Sequence, residues 1–399
     1  LTSSTSHGPA RATAPPPRRP ALDADALRAI AWQAAVIGAF ALLVWWLVSN
    51  TMENLAARQI ASGFGFFGRE AGLPIGESPI DYSPADTYAR ALLIGLLNTL
   101  KVSLIGIVLA TVLGVVVGVS RLSRNWLLSS AAGVYVEVVR NTPLLLQLFF
   151  WYTILQNLPA PRQAVQVGGV AFLSNRGIRL PWVQWTDAYW IVLAALLAGV
   201  VATVALNAHA RRRQMATGQR IPVLLPGVLL VLLPPLAAFV AVGLPFAPDI
   251  PELRGFNFRG GVAVTPEFAA LLIGLVAYTA AFIGEIVRAG ILAVPRGQWE
   301  AAEALGLHRG RALRLIVLPQ ALRVIIPPTT SQYLNLTKNS SLAVAIGYPD
   351  LVSIANTTLN QTGQAIEGIA LIMAAYLTVS LSISMFMNWY NRRIALVER

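Results

Sequence analysis

The chain has no cysteine and only three histidines, His7, His209 and His308, in 399 residues. Without cysteine there can be no disulfide, no thiolate metal site and no cysteine nucleophile. The histidines are scattered over a tail and two loops, so no metal site is expected. Charge is scarce too. Only 12% of the residues are Asp, Glu, Lys or Arg, against roughly 25% in an ordinary soluble domain. Lys101 and Lys338 are the only lysines. There is no glycine-rich lysine loop to cradle phosphate, no H-E-x-x-H helix and no G-x-S-x-G turn. The chain is therefore not expected to be an enzyme, and no cofactor is expected on it.

What it has instead is apolar length. Hydrophobic residues make up 56% of the chain and the mean hydropathy is +0.62. Such a chain cannot cover a soluble surface, so a polytopic membrane protein is expected. Apolar runs fall at 30–48, 91–119, 134–155, 188–206, 223–242, 266–287, 324–346 and 366–389. About 20 helical residues span a hydrocarbon core of ~30 Å, so each run is read as a span. The first run exceeds the usual core of a signal peptide and lacks a small-residue cleavage site, which favours an anchor. The net charge of +12 comes almost wholly from arginine. Those arginines cluster at alternate ends of the runs and not on one continuous face, so nucleic acid is not an expected partner. About 19 of the 30 Lys and Arg fall in the tail, the alternate loops and the C-terminus. The positive-inside rule puts that side, with both termini, in the cytoplasm.

The most distinctive segment is 300–319, EAAEALGLHRGRALRLIVLP. Pro295 suits the first turn of a helix, residues 298–305 favour helix, and Gly306 can form a left-handed C-cap. A second helix follows over 308–317, carrying Arg309, Arg311 and Arg314. Pro319 is expected near the point where the chain turns back toward the bilayer. The pattern Glu300, Ala301, Ala302, Gly306, Ile316, Leu318 and Pro319 resembles the cytoplasmic EAA loop of bacterial ABC-importer membrane subunits. The segments YVEVVRNTPLLLQLFF, IGEIVRAGILAVPRGQWEAAEALG and LNLTKNSSLAVAIGYPDL resemble other stretches of that family, in the family's order. The 64–98 region is similar to its amino-acid branch. Residues 156–264, with two extra spans, depart from the smaller permeases and resemble an insertion in some general L-amino-acid permease subunits.

The resemblance implies an all-α polytopic membrane protein with a type I ABC-importer (MetI-like) permease core and about eight transmembrane helices. The expected order is a disordered cytoplasmic tail (1–29), an anchor (30–48), a periplasmic segment (49–90) and a first core part (91–155). The insertion (156–264), a second core part (265–391) with its coupling loop (288–323), and a cytoplasmic C-terminus (392–399) follow. Further implied are an ABC ATPase dimer that carries ATP and Mg and seats on the seven loop positions, a second permease subunit, a periplasmic amino-acid-binding protein and a bacterial inner membrane. The implied cargo is amino acids, polar and of broad range. An ion-driven secondary transporter of small polar solutes is the alternative, but no inverted repeat of the kind that class is built on is evident.

Two E-x-x-R pairs, Glu137–Arg140 and Glu285–Arg288, each put both members on one helical face. They read either as anchoring ion pairs or as gate or interface contacts. Gln332, Asn335, Lys338, Asn339, Ser340 and Ser341 lie in an apolar run, where so many polar groups should face protein or water. They read equally as a translocation-path lining or as helix–helix contacts, with Lys338 able to snorkel. Asn98, Thr99 and Lys101 fit capping and snorkelling as well as substrate contact. Trp45, Trp46, Trp389 and Tyr390 fit an interfacial aromatic belt.

Overall fold

In lipid an apolar segment can satisfy its backbone only as a helix or a closed barrel, and this chain takes the first course. The structure is a computed structural model that describes residues 24–57, 62–183, 186–219, 222–243 and 248–394. Helices α1 (Ala24–Ala57), α2 (Tyr88–Ser120), α3 (Trp126–Asn141) and α4 (Leu144–Gln156) come first. Strands β1 (Val165–Val167), β2 (Ala171–Ser174), β3 (Gly177–Leu180) and β4 (Trp182–Val183) lead to α5 (Ala188–Thr217) and α6 (Leu224–Ala241). Strands β5 (Pro248–Asp249), β6 (Glu252–Arg254), β7 (Asn257–Arg259) and β8 (Val262–Val264) lead to α7 (Pro266–Leu292). Then come α8 (Arg296–Ala304), α9 (Arg309–Ala312), a π turn (Leu313–Val317), α10 (Leu318–Asn339), a 3-10 segment (Ser340–Ile346), α11 (Leu351–Thr362) and α12 (Ala365–Ile394).

Among the described residues, seven helices are long and apolar enough to cross a membrane. The expected third span, 134–155, is not one helix. It breaks between α3 and α4 because Pro143 pushes Thr142 into an extended conformation, with φ −102° and ψ 129°. The two loops expected in 156–187 and 244–264 contain strands. β1, β2, β3 and β8 form one antiparallel sheet in that order, with Ile178 opposite Val264. Residues 1–23 of the expected tail lie outside the described residues, while 24–29 belong to α1. α11 corresponds to no expected element.

The core forms where α2, α4, α7 and α10 meet, around Val102, Leu148, Leu271, Leu275, Ile283 and Leu336. Lipid tails are as apolar as leucine, so helices associate through close packing and not through exclusion of water. The α2–α7 seam does this with glycine. A Cβ on Gly118 would stand 2.6 Å from the Gly284 carbonyl oxygen and 2.7 Å from the Val287 Cβ. At one end of this seam Glu285 is bound by Arg121 and by Arg288, the latter at 2.5 Å.

At the other end, loops are tied to α2. Asn98 is fully buried and donates to the carbonyls of Glu77 and Pro349, both at 2.9 Å. The Thr99 hydroxyl accepts from the Leu351 amide at 3.1 Å. Lys101 reaches Glu77 at 2.5 Å and lies 4.4 Å over the Phe268 ring. The cap of α2 is Thr87, so Asn98 and Thr99 do not cap their own helix; they are inter-element ties, and Thr99 satisfies the first amide of α11. Buried Asp350 caps α11 by accepting from the Ser353 amide at 2.8 Å.

Two outcomes follow. Gly118→Ala is expected to destabilise the detergent-solubilised protein by about 1–3 kcal/mol, read as a lower midpoint of thermal unfolding. Gly133→Ala, whose Cβ meets nothing within 4 Å, should not lower it. Burial pushes the Asp350 carboxyl up to about 7, whereas an unfolded Asp ionises near ~3.9. Its protonated form thus supports the fold below the unfolded value, and this contribution is lost as pH rises through the folded one. Stability should fall from pH 5 to pH 8, and Asp350→Asn should flatten that fall.

Candidate functional site

The segment between α7 and α10 projects as an exposed helical turn. Pro295 precedes α8 as its N-cap, not as its first helical residue. α8 ends in a left-handed cap: Gly306 has φ +70°, its amide donates to the Glu303 carbonyl at 2.9 Å, and the Leu307 amide donates to Ala302 at 3.0 Å. This paired closure satisfies two of the carbonyls that a helix end leaves open. His308 then caps α9, with Nδ1 accepting from the Gly310 amide at 3.3 Å. Ala302, Ala312 and Val317 are fully buried as α8 folds back over α9 and the π turn. Arg309 lies 5.9 Å over the Trp299 ring, and Gln320 donates to Gln298 at 3.3 Å.

The outer side of the turn is free of this chain. Glu300, Ala301, Glu303, Gly306, Arg309, Arg311 and Arg314 are exposed, and Leu305 is 77% exposed. Ile316 is half-buried, while Leu318 and Pro319 are exposed. The chain does not turn back at Pro319. Proline lacks an N–H and crowds the carbonyl four residues before it, and here the helix answers by widening. The Leu318 amide bonds to the Leu313 carbonyl, five residues back. α9, the π turn and α10 therefore run on as one rod from Arg309 to Asn339.

The far part of that rod carries the six polar candidates, and the structure separates them. Asn335 and Lys338 are exposed, as is Ser331. At positions i, i+4 and i+7 these three share one helical face. Gln332 and Asn339 are half-buried at its flanks. Ser340 is turned inward, 1% exposed, and its hydroxyl donates to the Thr337 carbonyl at 2.7 Å. It belongs to the packing. Ser341 is half-buried and donates to the Lys338 carbonyl at 2.7 Å. The opposite face of the rod is held by the core: Leu336 packs against Gly106, and the Tyr333 hydroxyl lies 2.8 Å from that of Thr111 on α2.

The two E-x-x-R pairs behave differently. Glu285 and Arg288 pair, and the sequence did not disclose that Arg121, distant in the chain, is a third member. Glu137 and Arg140 form no ion pair among the described residues; instead the Arg140 guanidinium lies 5.0 Å over the Phe282 ring. Nothing in residue spacing distinguishes these cases, because α7 supplies a partner for one arginine and an aromatic face for the other. No group of three or more His, Asp or Glu able to hold a metal ion occurs among the described residues.

Known proteins resemble the chain closely. The family described as "Binding-protein-dependent transport system inner membrane component" matches residues 212–396. The putative amino-acid ABC transporter permease protein YhdX of Escherichia coli (strain K12) is 53% identical over 376 residues, covering 94% of this chain and 95% of that protein. The general L-amino acid transport system permease protein AapQ of Rhizobium johnstonii is 50% identical over 373 residues, covering 93% of each. The glutamate/glutamine/aspartate/asparagine transport system permease protein BztB of Rhodobacter capsulatus is 44% identical over 405 residues, covering 93% of this chain and 95% of that protein. Coverage on this scale takes in the 156–264 stretch, which these relatives therefore share.

The Gly306 closure generates a test of its own. No atom lies within 4 Å of a Cβ built there, so any penalty comes from backbone conformation alone. Gly306→Val is expected to cost roughly 1–2 kcal/mol, read as about tenfold faster hydrogen exchange at residues 306 and 307. Gly306→Asn, which tolerates the left-handed region, should change exchange far less.

Proposed function

This chain belongs to the amino-acid permeases of the binding-protein-dependent ABC transport family, and from that premise we propose how its exposed turn and polar helix face divide the work of import. The protein is an integral membrane permease subunit of an ABC importer for amino acids. The observation that carries the reading of its path is the face Ser331, Asn335 and Lys338, exposed on a helix that otherwise packs apolar residues. A charged side chain facing lipid is costly, ~2.5–3.5 kcal/mol or more at a helix centre and less toward its ends, and Lys338 lies in the last turn of α10. That cost is avoided if the face meets water and a second permease subunit, a paralogue or another copy. Between two such subunits lies the translocation path. The Lys338 ammonium meets the amino acid's carboxylate, and Asn335 and Ser331 offer hydrogen bonds to either charged group. The cargo is polar L-amino acids over a broad range, a reading supported by what AapQ and BztB are named for.

At the other end of the rod, the turn at Gly306 seats an ABC ATPase dimer, where ATP and Mg bind. Glu300, Ala301 and Leu305 offer acidic, small and apolar contacts to a cleft on that partner. Because α9 and α10 form one continuous helix, displacement of the turn is passed to the polar face through two points of adjustment, the π turn and the Pro327–Pro328 pair inside α10. Nucleotide acts only through the difference in ATPase-dimer affinity between inward-open and outward-open states. The turn end lies in the cytoplasm with both termini, and a periplasmic binding protein delivers cargo at the end bearing Glu77 and Asp350. The membrane is the bacterial inner membrane.

Reconstitution of the assembled importer in proteoliposomes tests this. Lys338→Met is expected to lower ATP-driven uptake at least tenfold while the ATPase still co-purifies. Glu300→Lys should instead weaken ATPase co-purification, and Gly306→Val should leave ATP hydrolysis running without matching uptake. Uptake that resists vanadate and collapses with an ionophore would point to an ion-driven secondary transporter and contradict the proposal.

A further inference from the structure

The hairpin of α5 and α6 contributes little to the core, yet a groove between its two helices combines two features that belong to one kind of ligand. At 1.5 Å per residue, α5 is about 45 Å long and α6 about 27 Å, against a hydrocarbon core of ~30 Å. The Thr203 hydroxyl donates to the Gly199 carbonyl at 2.9 Å and to the Gly227 carbonyl at 3.1 Å, which sets the two helices level there. Around that level a cavity of about 450 Å³ lies between Thr203 and Asn207 of α5 and a run from Val223 and Leu224 through Gly227 and Val228 to Val231 and Leu232 on the side of α6. Its walls are apolar except for the side chains of Thr203 and Asn207 on α5, which Val223 and Leu224 face from the start of α6.

Directly beyond Asn207 the chemistry changes. Positions 203, 207 and 211 follow one face of α5, so Arg211 stands one turn past Asn207, where α6 has already ended. Arg212 and Arg213 adjoin it, and all three are exposed. Residues 188–243 contain no Asp or Glu, and among the described residues none of these arginines forms an ion pair. An apolar slot at the depth of the acyl chains thus opens beneath an unneutralised basic cluster at the depth of the headgroups.

We propose that this groove binds one anionic phospholipid, with an acyl chain along Val228, Val231 and Leu232 and its phosphate on Arg211 and the arginines beside it. The two halves of the site select together. A zwitterionic lipid would fill the slot but offers the arginines a phosphate already balanced by its own ammonium. A free phosphate would use the arginines and leave the slot empty. The lipid fastens the hairpin at a fixed depth, a task its sparse packing on the core does not perform.

Native mass spectrometry of the delipidated full-length chain, titrated separately with dioleoyl phosphatidylglycerol, dioleoyl phosphatidylcholine and inorganic phosphate, tests the proposal. One phosphatidylglycerol should be retained at least tenfold more tightly than phosphatidylcholine, with no comparable adduct from phosphate. The triple change Arg211→Gln, Arg212→Gln, Arg213→Gln should bring phosphatidylglycerol to the phosphatidylcholine level. Val231→Trp, which fills the slot and keeps the arginines, should lower retention of both lipids. The pair Arg309→Gln, Arg311→Gln, on the Gly306 turn, should change neither. Equal retention of the two lipids would overturn the proposal, as would unchanged retention in the triple variant, or phosphate matching the lipid. Cross-linking of Val231→Cys to a helix of a second subunit in the assembled importer would also overturn it, because the groove would then be a protein interface.

Discussion

Lys338 and Asn335 stand exposed on the outward face of a membrane helix, and among the described residues Lys338 forms no ion pair. Lipid offers no hydrogen bond and no counter-charge, so this face imposes a condition on everything around it. The opposite face must be held firmly enough to keep the polar one turned outward. Leu336 against Gly106 and the Tyr333–Thr111 hydroxyl pair do that. α2 must in turn be fixed, and its glycine-to-glycine approach to α7 and the Arg121–Glu285–Arg288 cluster fix it. The packing of the protein is thus arranged so that a few polar groups have nowhere to go but an aqueous or shared space.

The same helix is mechanically continuous with the exposed turn. A proline in mid-helix would ordinarily kink or break it. The π turn at Leu313–Val317 absorbs Pro319 without a break, and the rod stays intact from Arg309 to Asn339. The turn itself is stiff on its inner side, where Ala302 and Ala312 leave no space, and open on its outer side. A continuous helix with one chemical face for a partner and another for a solute, hinged only at the π turn and where Pro327 and Pro328 interrupt its hydrogen bonds, is suited to passing displacement from one to the other.

Much of this was legible in the residues. Long apolar runs reported the spans, and the family resemblance of 300–319 located the turn; Gly306 announced its left-handed cap because few other residues adopt that conformation at small cost. Three things were not legible, for separate reasons. A run of uniform hydropathy hides a helix break, so the division at Pro143 was read as one span. Hydropathy also says nothing of a chain partner, so Arg121 was not linked to Glu285, and Arg140 was paired with the wrong group. Short strands in 165–180 and 248–264 alternate over three or four residues at most, too briefly to declare themselves against a Gly- and Pro-rich background. Of the six polar candidates on 332–341, helical spacing alone could have set Asn335 and Lys338 apart from Ser340, since they fall on different faces.

The absence of cysteine makes the central claim open to a direct measurement. A single cysteine at Asn335, in an otherwise native importer in membrane vesicles, can be probed with a membrane-impermeant thiol reagent without background from this chain. If the outward face of α10 lines a watery path, the position reacts at a rate set by the transport state, and amino-acid cargo slows the reaction. Labelling by lipid-soluble reagents only, indifferent to cargo and nucleotide, would place that face in the bilayer and contradict the account.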